Sequence, residues 1–295
     1  MYSQIDSNKR KTILLIAIFI AIITAIGYFL GYYMNYGSGM VILAVGISLV
    51  MTLVSYYSGD KIALASTGAK AIAKEDNPYV YRMVENLCIT AGTPIPKVYI
   101  IDSQALNAFA TGRDPEHSSI ALTTGIINAL ENEELEGVIA HELSHIKNYD
   151  IRVMMIVVVL VGAISIISDM FFRARILGGK RDSDNRGGGQ LGTIIMIVGI
   201  VLLILSPIIA ELIKLAISRK REYLADASGA LLTRYPEGLA KALEKISQSN
   251  TPLEHASSAT AHLFISNPFK SKSFSSLFST HPPIEDRINK LRGMT

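Results

Sequence analysis

The residues with the clearest chemical potential are His141-Glu142-Leu143-Ser144-His145. Positions four apart share one face of a helix, so both imidazoles would point the same way and could hold one zinc ion. Glu142 would sit beside them, offset by about 100° around the axis. From there it could take a proton from a water polarised by the metal, which is the chemistry of peptide hydrolysis. The pentapeptide is incomplete alone, because a catalytic zinc needs a third protein ligand and an open fourth position. Glu222 and Asp226 supply candidates. They are four apart on a predicted helix that continues to Leu232, hence on one face. Glu222 is assigned as the third ligand, and Asp226 as an acceptor that orients a ligand imidazole. The plain alternative is two solvated carboxylates on a surface helix; the upstream motif favours the ligand assignment.

These residues need elements to hold them. Asn132 is the expected N-cap of the motif helix, and the acidic turn that follows it suits the positive end of the helix dipole. Pro78 to Ala91 has helical periodicity, with Asn77-Pro78 opening it. Ile62 to Ala73 is also expected to be a helix. Lys97-Val98-Tyr99-Ile100-Ile101 is short and β-rich, so it should be a strand. Asn107 to Thr111 and Ser119 to Leu122 should be two more, joined by a polar loop at 112–118 that carries a solvated His117. Pro236 to Ser247 is an amphipathic helix, and Pro282-Pro283 opens a last one through Arg292. His255 reads as solvent-exposed, and His262 as buried or close to the site.

The 295-residue chain is 49% hydrophobic and only 18% charged. With its positive mean hydropathy, this points to a membrane protein. A net charge of +3 without a basic, aromatic-interleaved run argues against a nucleic-acid partner. The single cysteine, Cys88, cannot close an internal disulfide and reads as a small buried hydrophobe in a reducing compartment. Thr12 to Leu30 and Met40 to Tyr57 are long enough to span a bilayer, with Gly37-Ser38-Gly39 as the turn between them. The first run is too long for a signal-peptide core and is expected to be retained. Lys9, Arg10 and Lys11 place its leading end in the cytoplasm. A second hydrophobic hairpin is expected from Val153 to Phe172 and Leu191 to about Ile217. Its basic loop at 173–190 runs against the positive-inside tendency if both arms cross. Two crossings, or none, leave residues 60–150 and 218–295 on one side, as a shared metal site requires.

The expected fold is thus α+β and mostly helical, with a small sheet, the motif helix and transmembrane helical hairpins. The chain divides into an N-terminal hairpin (1–58), a first soluble part (59–150), a second hairpin (151–217) and a second soluble part (218–295).

Four segments taken together resemble the HtpX family of bacterial integral-membrane zinc peptidases, relatives of the CAAX-prenyl endopeptidases of eukaryotes. They are His141 to His145, Arg221 to Asp226, Asn107 to Gly112, and Thr280-His281-Pro282. The resemblance covers nearly the whole chain. It implies a gluzincin-type metallopeptidase domain, one zinc per chain, and an active site facing the cytoplasm from the bacterial inner membrane. It also implies a role in membrane-protein quality control and stress, with misfolded membrane proteins or unfolded polypeptides as substrates. By position, Glu142 matches the general base. Asn107 falls on the strand expected to pair with extended substrate, where its side chain could contact the scissile carbonyl. His281 and Arg287 match positions that steady the oxyanion or the substrate carbonyl. Without the resemblance, His281 reads as a turn histidine and Arg287 as a surface cation.

Two other classes of function compete. An adaptor with a structural zinc would close the site with four protein ligands and would have no use for Glu142. A zinc transporter would carry its ligands inside the spanning segments. The apolar runs hold no histidine, and their only acids are Asp169 and Glu211.

Overall fold

The computed structural model describes residues 2–33, 37–159, 162, 219–254, 256, 260–269 and 282–294. Most of the expected second hairpin lies outside these residues, as do His255 and His281.

Two long helices come first, α1 (Tyr2–Tyr33) and α2 (Gly39–Ser66). Small residues let them approach closely: a Cβ on Gly27 would fall 2.3 Å from the Cβ of Ala44. Large apolar side chains on both, including Ile13, Leu14, Ile42, Leu43, Val50 and Leu53, are exposed. An uncovered apolar surface of this extent is what a lipid-facing helix pair requires.

Helix α2 runs without a break past Tyr57 and corrects the expectation of a separate helix at 62–73. The chain leaves α2 at Gly68, whose φ of 69° is open to glycine at little cost. It then enters β1 (Lys70–Ala71), which pairs antiparallel with β2 (Lys97–Ile101). Between them lies α3 (Pro78–Ala91), capped by the Asn77 side chain, which accepts from the Val80 N–H. The sheet is completed by β3 (Ala108–Asp114) and β4 (His117–Thr123), in the order β1-β2-β4-β3. β2 and β4 run parallel, whereas β3 returns antiparallel on β4. The polar stretch at 112–118 is therefore the end of a hairpin and not a loop, a second correction. Gly112, at φ 139°, lets the strands close, since a Cβ there would lie 2.3 Å from the carbonyl oxygen of His117. His117 is solvent-exposed and pairs with Asp114 at 2.7 Å.

A short helix, α4 (Thr124–Ala129), leads into the motif helix α5 (Asn132–Lys147). The N-cap of α5 is Glu131 rather than Asn132. Its backbone N–H donates to the Glu134 carboxylate at 2.9 Å. Glu134 in turn meets Lys245 at 2.7 Å, which ties the helix start to its neighbour. Residues 150–159 are again helical. The later part contributes α6 (Arg219–Thr233), α7 (Pro236–Gln248), a 3-10 turn at Ala261–Leu263, and α8 (Ile284–Arg292).

Alternation along the strands divides the core. Val98, Ile120 and Leu122 join Val84 and Leu87 of α3 and Ile139 and Leu143 of α5 in one cluster. Ile101, Phe109 and Ala121 join Leu64, Met154, Leu263 and Phe264 in another. Period-two side-chain direction is what lets one thin sheet serve both clusters. α5 lies against β3, α6 and α7, so the motif helix is enclosed by the fold it organises.

Candidate active site

Helix α5 turns His141 and His145 to the same side and buries both. Their Nε2 atoms are 3.2 Å apart. Helix α6 brings Glu222 against them, with Oε1 3.5 Å from His145 Nε2 and Oε2 4.0 Å from His141 Nε2. A tetrahedral zinc with bonds of about 2.0–2.2 Å separates its ligand atoms by about 3.3–3.6 Å. The three donors thus already stand near the edges of such a tetrahedron. The donor set of two imidazoles and one carboxylate also fits zinc.

The other nitrogen of each ring faces its own carboxylate. His141 Nδ1 lies 2.9 Å from Asp226 Oδ1. His145 Nδ1 lies 3.0 Å from Asp150 Oδ2. A carboxylate on Nδ1 favours the tautomer whose Nε2 lone pair is free to meet a metal. Asp150 was not anticipated from sequence. Its signal is an acid five residues beyond His145, at the threshold of an apolar run.

Glu142 is fully buried and is not among the three clustered donors. Burial pushes its carboxyl up to about 7, and Glu222 adds to this. His145, Arg287 and an N–H from Ala110 of β3 oppose the rise. A carboxylate held near neutrality is suited to taking and returning a proton. Burial by itself would depress His145, but Asp150 and the charges of Glu222 and Glu142 lift it to about 9.

Arg287, expected from sequence alone to be a surface cation, is buried, with 1% of its surface exposed. The cause is Asp226, which would otherwise be an unpaired buried charge. Arg287 Nε and Nη2 donate to the two Asp226 oxygens at 2.8 and 2.6 Å. Nη1 donates to the Ile265 carbonyl at 3.3 Å and lies 3.8 Å from Glu222 Oε2. This fork overcomes the burial penalty on Asp226 and holds its pKa down at about 2.

Asn107, immediately before β3, is buried as well. Its Nδ2 donates to the Ser266 carbonyl at 3.0 Å, and its Oδ1 accepts from the N–H of Ala108 at 3.1 Å and of Ser266 at 3.4 Å. Ile265 N–H donates to the Ala108 carbonyl at 3.0 Å. The backbone at the start of β3 thus already holds another backbone segment, contributed here by the chain's own residues 265–266. His262 is buried, with Nε2 3.2 Å from the Met154 carbonyl, and is not a member of the donor cluster. His281 lies outside the described residues.

Residues 74–295 match the model of peptidase family M48. Over 294 residues the chain is 47% identical to the Protease HtpX homolog of Tropheryma whipplei, spanning 100% of this chain and 98% of that one. The chain belongs to peptidase family M48. It is also 46% identical over 298 residues to the Protease HtpX homolog of Streptococcus uberis, with both chains fully covered. In fold it is similar to the crystal structure of S. mikatae Ste24p, with a TM-score of 0.52 at 19% identity over 99% of this chain and 67% of that one. As an M48 member the chain is a metalloprotease of the α+β, mostly helical class. With the exposed apolar helices α1 and α2, it is a membrane protein.

Proposed function

We propose that this M48 protein is a zinc-dependent endopeptidase that cuts extended, cytoplasmic segments of misfolded or damaged membrane proteins from the bacterial cell membrane. The observation that carries this reading is the convergence of His141, His145 and Glu222 within 4.8 Å, with Glu142 buried beside them and not among the donors. His141, His145 and Glu222 would hold one zinc, which when bound supplies a Lewis acid that polarises a water and the substrate carbonyl. Glu142 takes the proton from the attacking water and passes it to the leaving amine. Asp226 and Asp150 keep the imidazoles in register. Arg287 acts through Asp226 and Glu222, and its Nη1 is the group that could reach a substrate carbonyl if the Ile265 carbonyl gave way. We assign His281 an oxyanion-steadying role, on the resemblance alone.

Substrate would bind as a strand along β3. Support comes from the way Ala108 and Asn107 already engage the backbone of Ile265 and Ser266. The segments 59–150 and 218–295 together form the peptidase, 1–58 the first hairpin and 151–217 the second. Among the described residues the cluster has three members, which suits a catalytic site better than a closed structural one.

The test is a paired measurement of zinc content and casein cleavage on detergent-solubilised protein, for wild type and Glu142→Gln. About one zinc in both with cleavage only in wild type supports the reading. Zinc in both and cleavage in neither points to a binding module.

A further inference from the structure

Helix α1 sends a buried side chain to the carboxylate that faces His145. Asn8 lies near its start and is 1% exposed, on a helix whose apolar side chains are largely exposed. Its Nδ2 donates twice, to the Asn148 carbonyl at 2.8 Å and to Asp150 Oδ1 at 2.7 Å. Its Oδ1 faces Arg221 Nη1 at 3.5 Å, and Arg221 Nη1 also donates to Asp150 Oδ1 at 3.3 Å. Asp150 is thereby gripped through Oδ1 while its Oδ2 faces His145 Nδ1 at 3.0 Å. Both ends of the amide have partners of the right sense, so its orientation is determined.

Apolar contacts already dock α1 on the fold. Leu15 and Phe19 pack against Val153, Ile156 and Val157. Asn8 is therefore not needed to hold the helix in place, and a buried amide would cost free energy without its partners. One of its hydrogen bonds goes to the carboxylate that faces His145, and another of its contacts, Arg221, bonds that same carboxylate oxygen. The neighbouring turn is braced from the same helix. Tyr149 adopts φ 60°, uncommon for a bulky residue, and Lys9 sits 5.3 Å over its ring.

We propose that Asn8 is a positioning residue of the metal centre, setting the Asp150 carboxylate and through it the His145 ring. A carboxylate held from two sides has one orientation available, and a ring held by it loses less freedom when it takes up a metal. The inference rests on the zinc reading above.

The test measures the zinc dissociation constant by competition with a chelator on the full-length solubilised chain, alongside the melting temperature of the metal-free form. Wild type, Asn8→Ala, Asn8→Asp, and Asp6→Asn on the exposed side of the same helix are compared. Asn8→Ala should weaken zinc binding about tenfold. Asn8→Asp keeps the shape of the side chain but cannot donate to Asp150 Oδ1 or to the Asn148 carbonyl, so it should weaken zinc binding at least as much. Asp6→Asn should match wild type. Asn8→Ala with an unchanged zinc constant overturns the inference, as does a loss that appears only as a lower melting temperature. Should Asn8→Ala fail to fold, Asn8→Asp decides: zinc binding weakened by about threefold or more supports the proposal, and an unchanged zinc constant overturns it. Wild type that binds no zinc overturns the zinc reading and this inference together.

Discussion

Gly229 of α6 lies directly against the backbone of His141 on α5. A Cβ at position 229 would meet the His141 amide nitrogen at 3.0 Å and the Ala140 carbonyl carbon at 3.3 Å. The helix carrying Glu222 can press onto the helix carrying the two imidazoles only because this position has no side chain. Gly229→Ala should push α6 outward and lengthen the Glu222–histidine separations. Zinc affinity should fall at least tenfold, with an overpacking cost of about 1–3 kcal/mol in stability. Chelator competition and denaturant melts check both. Unchanged zinc affinity would mean that the helices slide rather than separate.

Glu142→Gln replaces the buried carboxylate with an amide of nearly the same shape. The three clustered donors are untouched, so zinc content should stay at about one per chain. Cleavage should fall by about 10²–10⁴ or more, because an amide cannot take the proton. Metal analysis and peptide hydrolysis on the same preparation separate this outcome from simple loss of metal.

Arg287 and Asp226 form a buried pair that neither can leave alone. Arg287→Ala strands a carboxylate in the interior and should cost about 3–5 kcal/mol. Arg287→Lys cannot reproduce the two-pronged contact and should recover only part of it. Equilibrium unfolding of the metal-free protein measures both. A large loss of turnover with unchanged stability would instead assign Arg287 chiefly to substrate.

The same pair sets an acid limit on the metal-free protein. Asp226 titrates at about 2 when folded, against an ordinary 3.8, so the unfolded chain binds the proton more readily. Its contribution, about 2 kcal/mol, is fully present above pH ~4 and is lost as pH falls towards 2. Melting temperatures of wild type should drop through that window. In Asp226→Asn this portion of the pH dependence should vanish, on a lower baseline.

Much of this molecule was legible in the order of its residues. The 78–91 helix, the 97–101 strand and the 236–248 helix lie within a residue of expectation, because periodicity and punctuation by Asn, Pro and Gly are local signals. His141, His145, Glu222 and Asp226 were also within reach, since i, i+4 spacing on a helix specifies a shared face before any tertiary contact forms. Structure departs from local pattern where a distant partner overrules it. Residues 70–71 abandon helical periodicity because β2 offers a backbone edge, and the polar run at 112–118 is pulled into strands by β4. Arg287 looked like a surface cation because nothing near it in sequence reveals the buried carboxylate 61 positions earlier.

What the sequence by itself determined is the chemistry available: two imidazoles and a carboxylate that could hold a metal, a second carboxylate to which we assign the proton, and apolar helices for a membrane. What only the tertiary structure decided is which groups hold those donors still. Asn8, Asp150 and Arg221 lie up to 213 positions apart, yet they converge beside His145. Side-chain type and helical period are properties of a short stretch. The geometry of a hydrogen bond between remote residues is set by how whole helices pack, and no local pattern encodes it.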